Sequence, residues 1–246
     1  MILGLSVSWL IFYFVITLFA FTVATTLGIG GPLILLPALM INFSSAESVA
    51  IVVPIMFANN VTRAYIFRSF IQKYPIWKTG ITAIPFAIAA SFMTELVPSS
   101  IIKLLVLAAI IYPLISQYIF RYQPKVGGKL LMLWGVFIGA NSGLTGTAGP
   151  PMAIAFRGYG LVLTKFVATT AVIQACLQVV RFPIYYSTGL LRAELLPLSF
   201  FLSLASFLSV FIGLLILKKI KANQFRIYLD VLLGIIAIWI IYLLLK

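Results

Sequence analysis

Long apolar stretches alternate with short polar punctuation along the chain, at approximately 6–27, 29–41, 46–67, 75–95, 100–120, 130–145, 149–160, 163–187, 194–217 and 225–245. A helix needs about 20 residues to cross a hydrocarbon core, and most of these stretches are long enough. Those at 29–41 and 149–160 are too short, and each follows a glycine-rich break: Gly28-Ile29-Gly30-Gly31-Pro32 and Gly146-Thr147-Ala148-Gly149-Pro150-Pro151. The pattern predicts an all-α integral membrane protein, a polytopic bundle with two broken helices, each followed by a short half-helix.

The two breaks mark an internal duplication. Sliding the sequence by 118 residues without gaps lays Gly28 on Gly146, Gly31 on Gly149, Pro32 on Pro150 and Arg63 on Arg181. Nine of the forty positions between 28 and 67 are then identical. Matches of Val, Ile or Ala are expected by chance in so apolar a chain; the Gly, Pro and Arg matches are not. The expected organisation is a first membrane repeat at 1–120, a cytoplasmic connecting loop at 121–129 and a second membrane repeat at 130–246.

Composition agrees with the pattern. The chain has 246 residues, of which 63% are hydrophobic and only 9% charged, against about 25% charged in a soluble domain. Net charge is +13, from 17 basic and 4 acidic side chains. On a soluble protein this balance would suggest nucleic acid; here the bases sit between apolar stretches and read as topological signals. With each span and its short half-helix treated as a V, one side receives Arg68, Lys73, Lys78, Arg121, Lys125, Lys129, Arg157, Lys165, Lys218, Lys219, Lys221 and Arg226. The other side receives Lys103, Arg192 and Lys246. Twelve against three is a positive-inside bias. It puts both termini outside and gives the halves opposite orientations, so the repeats are expected to have inverted topology, a recurring plan in secondary transporters. Hydropathy alone leaves open whether 29–41 and 149–160 span or re-enter. The first apolar run has no basic segment ahead of it and reads as a retained span.

A glycine–proline break inside a membrane exposes backbone polar groups that hydrocarbon cannot satisfy, so it must be buried in protein or line a wet cavity. Proline in the first turn of a helix forfeits no bond it would have made, which makes Pro32 and Pro150 starts of the short helices. Each start offers free N–H groups and a positive dipole end. Two such ends meeting near the midplane make an anion site without a charged side chain, and glycine lets the ligand approach the backbone. Gly28, Gly30, Gly31, Gly146, Thr147 and Gly149 are the candidate backbone donors. Asn141, Ser142, Thr145 and Thr147 add amide and hydroxyl groups to the second break. The competing reading is that these small and polar residues serve only helix packing.

Gln174, Gln178, Arg181 and Tyr185 recur at i, i+4, i+7 and i+11, so they share one helix face. Met56, Asn60, Arg63 and Phe67 are their counterparts in the first half. A polar stripe on a membrane helix is expected to face the bundle interior, where Asn60, Arg63, Gln178 and Arg181 would flank an anion path. The alternative is that each arginine, near a helix end, snorkels to the headgroups. Of the four acids, Glu47, Glu95 and Glu194 fall near predicted ends, and Asp230, one turn past Arg226, pairs most simply with it or a neighbouring base. There is no His, and Cys176 is the lone cysteine. That leaves no Cys–His nucleophile and no His- or Cys-rich metal set. Neither glycine cluster is followed by Lys-Ser or Lys-Thr, so no P-loop is present.

The segment Leu27-Gly28-Ile29-Gly30-Gly31-Pro32-Leu33-Ile34-Leu35-Leu36-Pro37 resembles the first-half signature of the sulfite exporter family TauE/SafE, and Gly143-Leu144-Thr145-Gly146-Thr147-Ala148-Gly149-Pro150-Pro151 resembles its second. The basic stretch after the third span is also similar, and the resemblance extends over the whole chain. It implies export or uptake of small sulfur-containing or organic anions, such as sulfite, sulfoacetate, sulfonates or carboxylates, in a prokaryotic plasma membrane. Two departures stand out. The family often shows three consecutive glycines where this chain has Pro32 and Pro150 in the third place, and the fourth span carries Ala87, Ala89, Ala90 and Ser91 rather than glycines. A related thiosulfate-uptake group is thought to pass its cargo along several cysteines, which the single Cys176 argues against.

The reading is therefore a multi-pass cell-membrane transporter of small anions working by alternating access, with a passive anion channel as the alternative. An enzyme would need a nucleophile, an acid–base pair or a metal cluster, for which a chain with no His and only four carboxylates is poorly equipped. The expected partners are a small anionic substrate and the bilayer, with a homo-oligomer left open. No cofactor, metal or nucleic acid is called for.

Overall fold

The computed structural model describes residues 5–94, 96–98, 100–101, 104–105, 107–108, 111, 125–161, 163–217, 219, 235, 238 and 241–242. Among these residues all regular structure is helical. The α-helices are α1 (Val7–Leu27), α2 (Gly31–Leu39), α3 (Ser45–Ile66), α4 (Lys73–Met93), α5 (Gly128–Thr145), α6 (Gly149–Gly158), α7 (Leu163–Ser187) and α8 (Leu196–Leu217). Short 3-10 turns precede α4 and α8. Five segments are long and apolar enough to cross a membrane: Val7–Leu27, Ser45–Ile66, Lys73–Met93, Thr164–Ser187 and Ala193–Ile216. The chain is a polytopic helical membrane bundle.

Both breaks fall where the glycines predict them. α1 stops because Gly28 turns left-handed at φ 79° and closes its N–H on the Ala24 carbonyl. α5 stops in the same way at Gly146, φ 75°, whose N–H closes on the Ser142 carbonyl. A β-carbon is costly in that backbone region, which is why glycine occupies it. Pro32 and Pro150 each sit in the first turn of the helix that follows. α2 has nine residues and α6 has ten. At about 1.5 Å per residue, each covers roughly half of a hydrocarbon core of about 30 Å.

The ends of each broken pair come back together. Beyond α2, Asn42 Nδ2 donates to the Tyr13 hydroxyl of α1 at 2.9 Å. Just before α5, the Val126 N–H donates to the Gly158 carbonyl at the end of α6, also at 2.9 Å. The short helices therefore re-enter rather than span. The first V lies beside the start of α3, where Ser44 and Glu47 form a capping box and Glu47 pairs with Arg192. The second lies beside the start of α4, with Tyr74 stacked on Tyr159 at 6.1 Å.

Helix packing repeats between the halves. α1 runs along α8 and α5 along α4; α3 packs on α8 and α7 on α4; α3 and α7 pack on each other. Exchanging α1–α4 for α5–α8 maps this pattern onto itself. Each half thus packs its outer helix against the other half. In lipid, such contacts depend on close van der Waals fit and small residues rather than on expulsion of water. The tightest seam is α4–α5, where Gly135, Gly139 and Gly143 lie one turn apart. A β-carbon on Gly139 would sit 2.9 Å from the Ala83 Cα, and one on Gly143 would sit 2.8 Å from the Ala87 carbonyl oxygen.

Five sequence expectations lie wholly or partly outside the described residues: the pairing of Asp230, Glu95, the span at 225–245, and part of both the 100–120 span and the 121–129 loop.

Candidate functional site

The two polar stripes are buried and face each other. Arg63 and Arg181 are 1% and 0% exposed, which excludes the snorkelling alternative. Asn60, Met56, Gln174, Gln178 and Tyr185 are buried with them. The stripes meet where Gln178 Nε2 donates to the Met56 thioether at 3.4 Å.

Each arginine reaches the helix break of its own half. Arg63 Nη1 donates to the Ala24 carbonyl at 2.9 Å, and Arg63 Nη2 donates to Asn60 Oδ1. Ala24 is the residue whose carbonyl also takes the Gly28 N–H, so Arg63 seals the end of α1. Arg181 Nη1 donates to Ser142 Oγ at 3.2 Å and to Gln178 Oε1 at 2.8 Å. Its Nη2 lies 3.6 Å from where a β-carbon on Gly146 would be, which puts the guanidinium against the second break. The Tyr185 ring lies 5.3 Å from Arg181 Cζ, and its hydroxyl donates to the Gly143 carbonyl. These partners obey the 118-residue offset: Ala24 with Ser142, Asn60 with Gln178 and Arg63 with Arg181.

The breaks touch. A β-carbon on Gly149 would lie 3.1 Å from Ile29, between Gly28 and Gly30. Gly28 lies under Phe166 and Val167 of α7, and Gly146 under Val49 of α3. Val49 and Val167 are again 118 residues apart. Gly28, Gly30, Gly31, Gly146, Thr147 and Gly149 are all buried, so the first turns of α2 and α6 begin inside the protein.

The polar side chains of the second break mostly satisfy one another. Asn141 Nδ2 donates to the Thr147 carbonyl at 2.5 Å, and Thr145 Oγ1 donates to the Asn141 carbonyl at 2.8 Å. These residues hold the break in shape, with the Asn141 amide spent on backbone. Sequence reasoning named Ser142 only as a general donor and passed over Ala24 and Gly143; the cap position four residues before Gly28 and Gly146 was the signal that could have found Ala24 and Ser142.

Charge at this place is one-sided. Among the described residues, Glu47 is 22% exposed at its side chain and Glu194 is exposed, so neither acid is buried near the arginines. Arg63 Nε, Arg181 Nε, Arg181 Nη2, Asn60 Nδ2 and Gln174 Nε2 are buried with no hydrogen-bond partner among the described residues. All five are donors. Burying a cation without a counter-charge costs several kcal/mol, and leaving donors unmet adds about 1–3 kcal/mol each. An anion with acceptor oxygens relieves both penalties at once. Cys176 is exposed and stands apart from this stripe.

A polytopic bundle with two broken helices is a recurring architecture of membrane transporters. The sequence model of the family described as Sulfite exporter TauE/SafE matches residues 13–240, and the chain belongs to that family of membrane transporters. No curated protein and no solved structure matches the chain.

Proposed function

We propose that the chain carries small oxyanions, of the sulfite, sulfonate or carboxylate type, across the cell membrane by alternating access, binding them where the two helix breaks meet. The observation that carries this reading is the set of five buried donors on the two polar stripes that have no acceptor among the described residues, two of them on Arg181, which lies against the second break. Gly30, Gly31 and Gly149 supply further backbone N–H donors there, whereas the expected donors Gly28, Gly146 and Thr147 already give their N–H groups to Ala24, Ser142 and Thr145 and shape the breaks instead. Arg181 and Gln178 supply the charge and its setting, Arg63 and Asn60 close the end of α1 beside it, and Asn141 and Thr145 shape the second break.

Inverted topology of the repeats is part of the proposal. It is supported by the twelve-to-three distribution of loop bases and by the two Vs, one tied by Asn42 to Tyr13 and the other by Val126 to Gly158. Two structurally equivalent halves that pack across each other can rock about a fixed central site, which is how such repeats alternate access. Sulfite, one such oxyanion, is the cargo that the family description names.

The test is counterflow in proteoliposomes with labelled sulfite, sulfoacetate and acetate. Unlabelled anion inside the vesicle is expected to draw labelled anion in transiently above its equilibrium level. Flux that follows the gradient without overshoot identifies a passive channel, and no flux of any of the three anions overturns the reading.

A further inference from the structure

The two arginines occupy equivalent positions but do not have the same free atoms. A guanidinium presents Nε and Nη2 along one edge, and that edge matches two oxygens of a single oxyanion. On Arg63 the edge is half used, because Nη2 donates to Asn60 Oδ1 and only Nε lacks a partner among the described residues. On Arg181 both atoms of the edge are buried and unpartnered, while the two internal bonds fall together on Nη1. The cause lies in two exchanges at duplicated positions. Gln178 replaces Asn60 and is one methylene longer, and its oxygen reaches Nη1 rather than Nη2. Ser142 replaces Ala24, and its hydroxyl takes the arginine where the first half offers a main-chain carbonyl.

From this asymmetry, and resting on the anion-site reading given above, we infer that one substrate anion is held side-on by the Nε–Nη2 edge of Arg181, and that Arg63 is a structural cap of α1 that does not grip it. The substrate class follows from the edge. It is an oxyanion presenting two terminal oxygens on one face, such as a carboxylate, a sulfonate or sulfite. A single-atom anion such as chloride fills one donor and leaves the other unmet. Gly146 permits the approach: Arg181 Nη2 lies 3.6 Å from the position a side chain would take there. Gln178 holds the guanidinium at Nη1, away from that edge, and the Tyr185 ring lies 5.3 Å from its Cζ.

The experiment is thermal stabilisation of the full-length, detergent-purified protein, titrated with sodium methanesulfonate, sodium acetate and sodium chloride at constant ionic strength. In the unsubstituted protein, methanesulfonate and acetate are expected to bind about tenfold or more tighter than chloride, the return on a second charged hydrogen bond. Arg181→Lys keeps the charge but loses the edge, so it should abolish that preference. Arg63→Lys should lower the unliganded Tm while the preference persists. Equal affinity for chloride and methanesulfonate in the unsubstituted protein overturns the inference without any variant, so a failure of Arg181→Lys to fold does not shelter it. A preference that survives Arg181→Lys, or one lost in Arg63→Lys, also overturns it and leaves the anion site standing. No stabilisation by any oxyanion overturns the anion site itself, and the inference with it.

Discussion

The two helix breaks share a backbone and differ in side chains. At the first, between α1 and α2, the chain turns through Gly28, Ile29 and Gly30, and Arg63 donates directly to the Ala24 carbonyl in the last turn of α1. At the second, between α5 and α6, Asn141, Thr145 and Thr147 hold one another across the turn, and Ser142 stands between the backbone and Arg181. The same left-handed glycine closes both preceding helices, at φ 79° and 75°. The backbone is thus the same at both breaks, while the side chains within reach of the arginines differ. One break is built as a scaffold, and the other leaves a guanidinium edge free for a ligand.

The largest expected effect compares the seams that join the halves. Gly139→Leu drives a side chain into the Ala83 main chain across α4–α5, at a cost above about 3 kcal/mol, and should eliminate monodisperse protein in size-exclusion chromatography. In the equivalent α1–α8 seam, a β-carbon on Gly213 meets the Thr25 side chain at 2.7 Å; Gly213→Ala should lower Tm and retain folded protein. Equal tolerance at both positions would remove the distinction between the seams.

Next come the glycines of the breaks. Gly28→Ala and Gly146→Ala both pay about 1–2 kcal/mol for a left-handed alanine. The Gly28 variant also meets Phe166 at 2.6 Å, whereas the Gly146 variant meets Val49 at 3.2 Å. Thermal melts should rank Gly28→Ala as the less stable, and the reverse order would show that the second break is the tighter one. Tyr185→Phe then makes the second half like the first, where Phe67 occupies the equivalent position. It removes the hydroxyl bond to Gly143 and should cost about 0.5–1.5 kcal/mol, read as a small drop in Tm.

The smallest effect concerns the ends of the two Vs. Arg192→Gln breaks the partly exposed pair with Glu47, which is worth less than about 1 kcal/mol and is weakened by salt. Its stability deficit should vanish in high salt. The second V closes through the Val126–Gly158 backbone bond and offers no comparable salt-dependent term. A deficit that persists in high salt would mean that Arg192 holds its loop by packing.

The breaks, the short helices and the buried stripe were legible in the sequence because each has a local rule behind it. Glycine and proline at matching offsets dictate where backbone hydrogen bonding stops, and a polar stripe at i, i+4, i+7 and i+11 has to turn away from lipid. Re-entry of α2 and α6 was not legible, since hydropathy does not register the bonds from Asn42 and Val126 that close each V. The one-turn spacing of Gly135, Gly139 and Gly143 was a readable signal for close packing and was passed over among the other small residues. The division of labour between Arg63 and Arg181 was out of reach of pattern alone. It depends on which guanidinium nitrogen a side chain one methylene longer can reach, and that is decided by the packing of α3 and α7.

The central claim, that the breaks bind an oxyanion, is tested most directly by the thermal stability of the purified protein against sulfite, sulfate, thiosulfate, sulfoacetate, taurine, acetate, lactate and pyruvate. A ligand that binds the native state raises its apparent stability by mass action. The account predicts a saturable rise in Tm with one class of these anions, which names the substrate class at the same time. A flat response to all of them at matched ionic strength would contradict it.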